Sequence, residues 1–201
     1  MRCGSWRGAS LPHRIAHALE WVTSLGGPLI AVPVSLIDAW GGADPPSDGR
    51  AIQVTRQFDP SLPATDYDRA CEAAGLVGTI EIASGQGLVL SSDTQSATWR
   101  PRLDGGGVFV CPFGIDDAVQ VVEIAEQMPT REFGSADLDW VVVSDQVRLF
   151  DSSMPGRDIA TPFQTFVLPP GRYHVHTARI DKPSVGLALV HRVTPVPAKR
   201  R

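Results

Sequence analysis

The chain has 201 residues, 43% of them hydrophobic and 20% charged, with a formal net charge of -4. These proportions exclude a disordered or fibrous chain and allow one well-buried core, and no apolar run approaches the roughly 20 residues that a membrane helix needs. Three cysteines, Cys3, Cys71 and Cys111, are odd in number and lack C-x-x-C spacing, which argues for a reducing, cytoplasmic setting without a disulfide framework.

The charge is unevenly spread. Arg2, Arg7 and Arg14 lie near one end and Lys199, Arg200 and Arg201 at the other; residues 21–198 hold 12 basic against 21 acidic side chains, a body of -9. Such a body repels nucleic acid and attracts basic partners. The 17 prolines and 19 glycines point to many short elements joined by turns, hence a β-rich fold. The absence of asparagine and the ratio of 16 arginines to 2 lysines are the mark of a GC-rich genome.

In chain order, residues 1–20 read as a basic leader expected to be poorly ordered. His13 and His17 are four apart, but without a following glutamate or third ligand they make a poor zinc motif. The rest is organised around 21–42. Leu25-Gly26-Gly27-Pro28 is a turn, 29–32 an edge or first strand closed by Pro33, and Ser35 the expected cap of a short helix over 36–40 that Gly41 stops in the left-handed region. Residues 43–65, rich in proline and aspartate, read as a long surface loop with a short strand at 51–55; loops of this length usually carry function. Thr65 or Asp66 caps a helix running through Ala73, with Gly75 as its stop.

Strands follow at 77–83 and 88–90, joined by Ser84-Gly85-Gln86-Gly87, and at 96–100 and 108–113 across a glycine-rich turn. Asp116 opens the best helix. Its apolar positions Ala118, Val121, Val122, Ile124, Ala125 and Met128 approximate a 3.6-residue period, and Pro129 ends it, so one face packs on a sheet. Strands at 138–143, 147–150, 165–168, 172–180 and 185–193 complete an α+β fold of mostly antiparallel hairpins with a few short helices. Ser84-Gly85-Gln86 and the strand after it echo Ser144-Asp145-Gln146 and its strand. The echo fits two related halves, about 21–100 and 101–195, or hairpins that reuse the same turn chemistry.

Three function classes compete. An enzyme would draw on Asp66, Asp68, Asp116, Asp117, Asp137, Asp139 and Asp151, or on His174 and His176, which share a strand face. A tight turn at 181–183 pairs His174 with about Arg192 and puts His191 on the opposite face, so three-histidine metal binding fails and no resident metal is expected. Asp66 and Asp116 read better as helix caps, and no phosphate loop or nucleophile motif is present. A small-ligand or carbohydrate module would expose two tryptophans in one groove, but Trp40, Trp99 and Trp140 read as core anchors.

The third class comes from a resemblance. Its first run is Trp21, Ser24, Gly26, Gly27, Pro28, Leu29, Pro33, Ser35, Trp40, Gly41 and Gly42. Asp66-Tyr67-Asp68-Arg69-Ala70-Cys71, Gly87-Leu88-Val89-Leu90, Trp99 and the segments LFDSSMPG and LPPGRYHV follow in order. On these residues the chain resembles the immunity protein 21 family of bacterial polymorphic toxin systems, over about 21–193; Gly85 and Ser91 depart from the pattern. The resemblance implies a single α+β immunity domain that binds a cognate toxin domain encoded nearby. It implies no catalytic residue, cofactor, nucleic acid or membrane partner. Trp21, Gly26, Gly27, Pro28, Trp40, Tyr67, Arg69 and Trp99 are then structural. The acidic contacts to a basic toxin are expected from Asp44, Asp48 and Asp59, with Asp66 and Asp68 at the helix start.

Overall fold

The computed structural model describes residues 19–44, 64–91, 95–113, 118–134, 137–158 and 160–197. After the short strand β1 (Val22–Thr23) and the glycine turn, the apolar run forms β2 (Leu29–Pro33), buried at every position. A strand buried on both faces needs a layer above and below. β2 lies in the middle of a five-stranded antiparallel sheet, ordered β3 (Val77–Ile82), β4 (Gly85–Leu90), β2, β8 (Gln146–Asp151), β9 (Gln164–Val167). The expected edge or first strand is thus a central one, second in chain order. Pro33, which cannot donate, is accommodated because it closes the strand opposite Val147.

A second, six-stranded antiparallel sheet runs β1, β5 (Ser96–Pro101), β6 (Gly107–Phe113), β11 (Gly186–Pro195), β10 (Gly171–Lys182), β7 (Leu138–Val142). The two sheets bury a common core, with Leu29, Ala31, Leu88 and Leu149 facing Trp99, Phe109, Trp140 and Leu189. Outside the six-stranded sheet, α2 (Ala118–Gln127) lays Val121, Val122 and Ala125 over Val110, Ile180 and Val190. Outside the five-stranded sheet, a 3-10 helix (Val34–Ala39) and α1 (Asp66–Ala73) set Leu36, Ile37 and Ala70, together with Trp40, on Ile30, Val89 and Phe150. The result is the expected α+β class, arranged as four layers. Its longer helix packs on a sheet as its periodicity requires.

Several local expectations change. Ser35 caps nothing: the short helix is 3-10, begins after Pro33 and has no side-chain cap bond. Gly42, not Gly41, takes the left-handed conformation, at φ +64°, because the chain turns there hard against the backbone of Ser153 and Met154. Thr65 is the cap of α1, and Asp66 its first residue. The turn before β4 is only Ala83-Ser84, since Ile82 already pairs with Gly85. The strands 138–142 and 146–151, adjacent in sequence, cross from one sheet to the other and do not form a hairpin.

β10 and β11 run two residues further than expected, with Lys182 opposite Gly186 and His174 opposite Thr194. A shift of two preserves facing, so His191 still points to the opposite side from His174 and His176. The strands behind the sequence echo, β4 and β8, flank β2 on either side, with Val89 and Phe150 both opposite Ile30. That pairing differs by one residue from the echo, which aligns Val89 with Leu149, a side chain on the other face. Each sheet also draws strands from both sides of residue 100. The 51–55 strand, the Asp116-Asp117 helix start, His13, His17, Asp48 and Asp59 lie outside the described residues, as does the basic tail from 198 onward.

Candidate functional site

Three of the motif segments, scattered over more than 120 positions of sequence, meet at one place: the end of β8, the glycine turn before β2, and the start of α1. Asp151 is 1% exposed, and a carboxylate that deep must be satisfied by donors. It is. Oδ2 accepts the Leu25 amide at 2.6 Å, and Oδ1 accepts the Ser153 amide and hydroxyl at 2.8 Å each. Ser152, fully buried, donates its hydroxyl to the Pro28 carbonyl at 2.6 Å, and its own carbonyl accepts the Trp40 indole N–H at 3.1 Å. Gly156 N–H returns to the Trp40 carbonyl at 2.9 Å.

α1 docks on this knot. Thr65 Oγ1 accepts the Asp68 amide at 3.1 Å while Asp68 Oδ2 accepts the Thr65 amide at 2.9 Å, a reciprocal capping box. Asp66 Oδ2 accepts the Gly41 amide at 2.8 Å and Oδ1 pairs with Arg69 at 3.0 Å; Arg69 also donates to the Glu81 carbonyl on β3. The Tyr67 ring lies across Gly27, where a Cβ would collide with it. The glycine is therefore required by close approach. Gly26 is required by conformation, at φ +134°. Burial, reinforced by the hydrogen bond with Cys71, pushes the Tyr67 phenol up to about 12, and burial raises the Cys71 thiol as well. Both stay protonated near neutrality, so neither is an activated nucleophile.

Of the expected contact residues, Asp44 is exposed at the rim of this knot, and the carboxylates of Asp66 and Asp68 are bonded within the protein. Asp137 is exposed, and Asp139 pairs with Arg172 and His174. Trp40 and Trp99 are 1% exposed and Trp140 is fully buried, so all three are core side chains, as their apolar neighbours led one to expect. Trp99 stacks on Phe166 at 4.4 Å, and Trp21 is half-buried against the α2 side. Among the described residues no three histidine, cysteine or acidic side chains converge as a metal set. Sequence reasoning placed Asp151 among carboxylates for an enzyme and gave Ser152 no role of its own. The signal was present, since the LFDSSMPG segment already stood out.

The charge of this layer is predominantly acidic, with Arg148 on its face of β8 and the exposed Arg157 as basic side chains besides Arg69. Residues 34–44 and 64–82 carry Asp38, Asp44, Asp66, Asp68, Glu72 and Glu81 against Arg69 alone, while 118–134 on the far layer mixes Glu123, Glu126 and Glu132 with Arg131.

A family model described as Immunity protein 21 matches residues 20–184. No curated protein and no solved structure matches the chain.

Proposed function

The chain belongs to the immunity protein 21 family, and from that membership we propose that it binds a cognate toxin domain and blocks it, protecting the cell that makes both. The family match carries this reading, because it extends over most of the chain and includes every segment of the Asp151 knot. No catalysis is needed for the role: occlusion of a toxin requires a stable, shaped surface. The proposal places the protein in the cytoplasm, where an immunity partner meets its toxin, with a basic toxin domain encoded by a neighbouring gene as partner.

The acidic layer over the five-stranded sheet is the surface we assign to that toxin, with Asp44 in contact and Asp48 and Asp59 beside it in sequence. Asp66 and Asp68 contribute field more than contact, since their oxygens already accept bonds within the protein. Complementary charge raises the encounter rate, and slow release then depends on a few packed anchors. Among the described residues, Leu25 and Leu76, 77% and 58% exposed, and Val143 beside Leu36 are exposed apolar side chains near this layer. Co-expression with the neighbouring toxin domain should restore growth, and the pair should co-purify. Growth arrest that this protein fails to relieve, with no complex recovered, would remove the reading.

A further inference from the structure

Four strands end the two sheets, and three of them are blunted against further pairing. β1 is two residues long. Where β5 runs on past it, Gln164 takes both backbone groups of Trp99, and Pro101 has no N–H to offer. On β7, Gln86 takes the Val141 N–H and Asp139 adds charge. On β3, Arg69 takes the Glu81 carbonyl, and the Glu81 side chain is exposed and charged. Short length, charge, proline and side-chain caps are the ordinary defences of a sheet edge.

β9 lacks charge, internal proline and cap along its outer side. Leu168 N–H donates to the Asp145 carbonyl at 3.1 Å, and the pairing of Phe166 with Val147 and of Gln164 with Leu149 continues that ladder. Alternate residues of an antiparallel strand address the same neighbour. The N–H and C=O of Thr165 and Val167 therefore point away from the sheet, and among the described residues these groups meet no backbone partner. Both residues are exposed, Val167 at 69%. From Phe163 to Leu168 the chain has no charged side chain, and Pro162 and Pro169 stand just outside the strand.

We propose that β9 is a homodimerisation edge, pairing antiparallel with β9 of a second copy of this chain about a two-fold axis at Phe166. Thr165 then lies opposite Val167 of the second copy, and Val167 opposite its Thr165. Each pair exchanges both of its bonds, so every outward group of the two residues is used. Opposite Thr165 within the sheet is Arg148, whose guanidinium lies over the Phe163 ring at 4.3 Å. In the dimer the two copies of Arg148 are three strand spacings apart, roughly 14 Å, beyond the screening length of about 8–10 Å. Arg148 and the exposed Asp145 leave this edge near neutral. The attraction that draws a basic toxin to the acidic layer is missing here, which makes a second copy the better occupant. The dimer stands whether or not the toxin assignment does.

The test is sedimentation equilibrium of the full chain, which should show a monomer–dimer equilibrium over about 1 μM to 1 mM, the range of a small interface. Val167→Pro removes an outward N–H and no bond within the sheet, so it should weaken the dimer about tenfold or more with Tm unchanged. Thr165→Lys places a charge on the edge and should do the same. Hydrogen exchange of the native chain reads the edge directly: the Thr165 and Val167 amides should gain protection as concentration rises. A chain that stays monomeric throughout, or a dimer that both variants leave intact, would overturn the proposal. So would protection of these two amides only when a toxin domain is added, which would give the edge to the toxin.

Discussion

One side chain closes an open strand edge: the Gln164 amide takes both backbone groups of Trp99, its Oε1 accepting the N–H at 2.7 Å and its Nε2 donating to the carbonyl at 3.3 Å. β1 pairs only as far as Ala97 and Ser96, so the outer edge of β5 would otherwise be bare at Trp99. The amide acts there as one more peptide group, joining β9 of one sheet to β5 of the other. Gln86 does similar work at the opposite side, where its Oε1 accepts the Val141 amide on β7 and its carbonyl accepts the Trp140 indole. Edge groups satisfied in this way are also shielded from pairing with another chain.

Gln164→Leu should therefore leave two part-buried backbone groups without partners and cost about 1–3 kcal/mol. Urea unfolding measures it. An unchanged midpoint would mean that water replaces the amide.

Trp40→Ala removes a side chain that fills the space between the 3-10 helix and the five-stranded sheet and orphans the Ser152 carbonyl. The loss should be roughly 3–5 kcal/mol, seen as a sharp fall in Tm. Thermal stability unchanged with partner binding abolished would show that Trp40 is a contact residue and not a core one.

Gly27→Ala puts a methyl into the Tyr67 ring, and overpacking of this kind costs about 1–3 kcal/mol. The cost should shrink in a Tyr67→Ala background, a non-additive double-mutant cycle. Full additivity would place the strain elsewhere.

His191 is fully buried between the sheets, with Nδ1 3.0 Å from the Thr177 hydroxyl and Nε2 without a partner. Burial lowers it from 6.5 to about 4, with Asp137 opposing weakly. Below pH 6.5 the unfolded chain therefore binds a proton that the folded chain refuses. Stability should fall as pH drops from 6.5 toward 4, at up to about 1.4 kcal/mol per pH unit. Asp139, held below the usual carboxylate range by hydrogen bonds from Arg172 and then His174, contributes above its unfolded value of 3.8 and loses that only in stronger acid. Unfolding midpoints at pH 7, 6 and 5 for the native chain and His191→Gln separate the two. Parallel curves over that range would contradict the His191 assignment.

Reversal of Asp38 and Asp44, both exposed on the acidic layer, to lysine should slow association with a basic toxin domain several-fold and flatten its salt dependence. Stopped-flow at two ionic strengths reads it. Unchanged salt dependence would remove the electrostatic part of the proposal and leave the immunity role standing.

Composition and periodicity carried the class of the fold. Alternation marked most strands, the 3.6-residue spacing of Val121, Val122 and Ala125 marked α2, and isolation among apolar neighbours marked Trp40, Trp99 and Trp140 as core. These are local properties, set by which side chains share a face. The sequence also held the parts of the Asp151 knot as separate motifs. Their convergence was not legible, because hydrogen bonds such as Leu25 to Asp151 span 126 residues and no short-range pattern encodes such a distance. Sheet membership was hidden for the same reason: the 144–145 turn looks like a hairpin turn, and only the second sheet behind it makes β7 and β8 part company. Whether Pro33 ends an edge or a central strand depended on neighbours contributed by β4 and β8. The chain thus determined by itself what each segment is; tertiary packing decided which segments meet, since burial is shared between residues that sequence holds far apart.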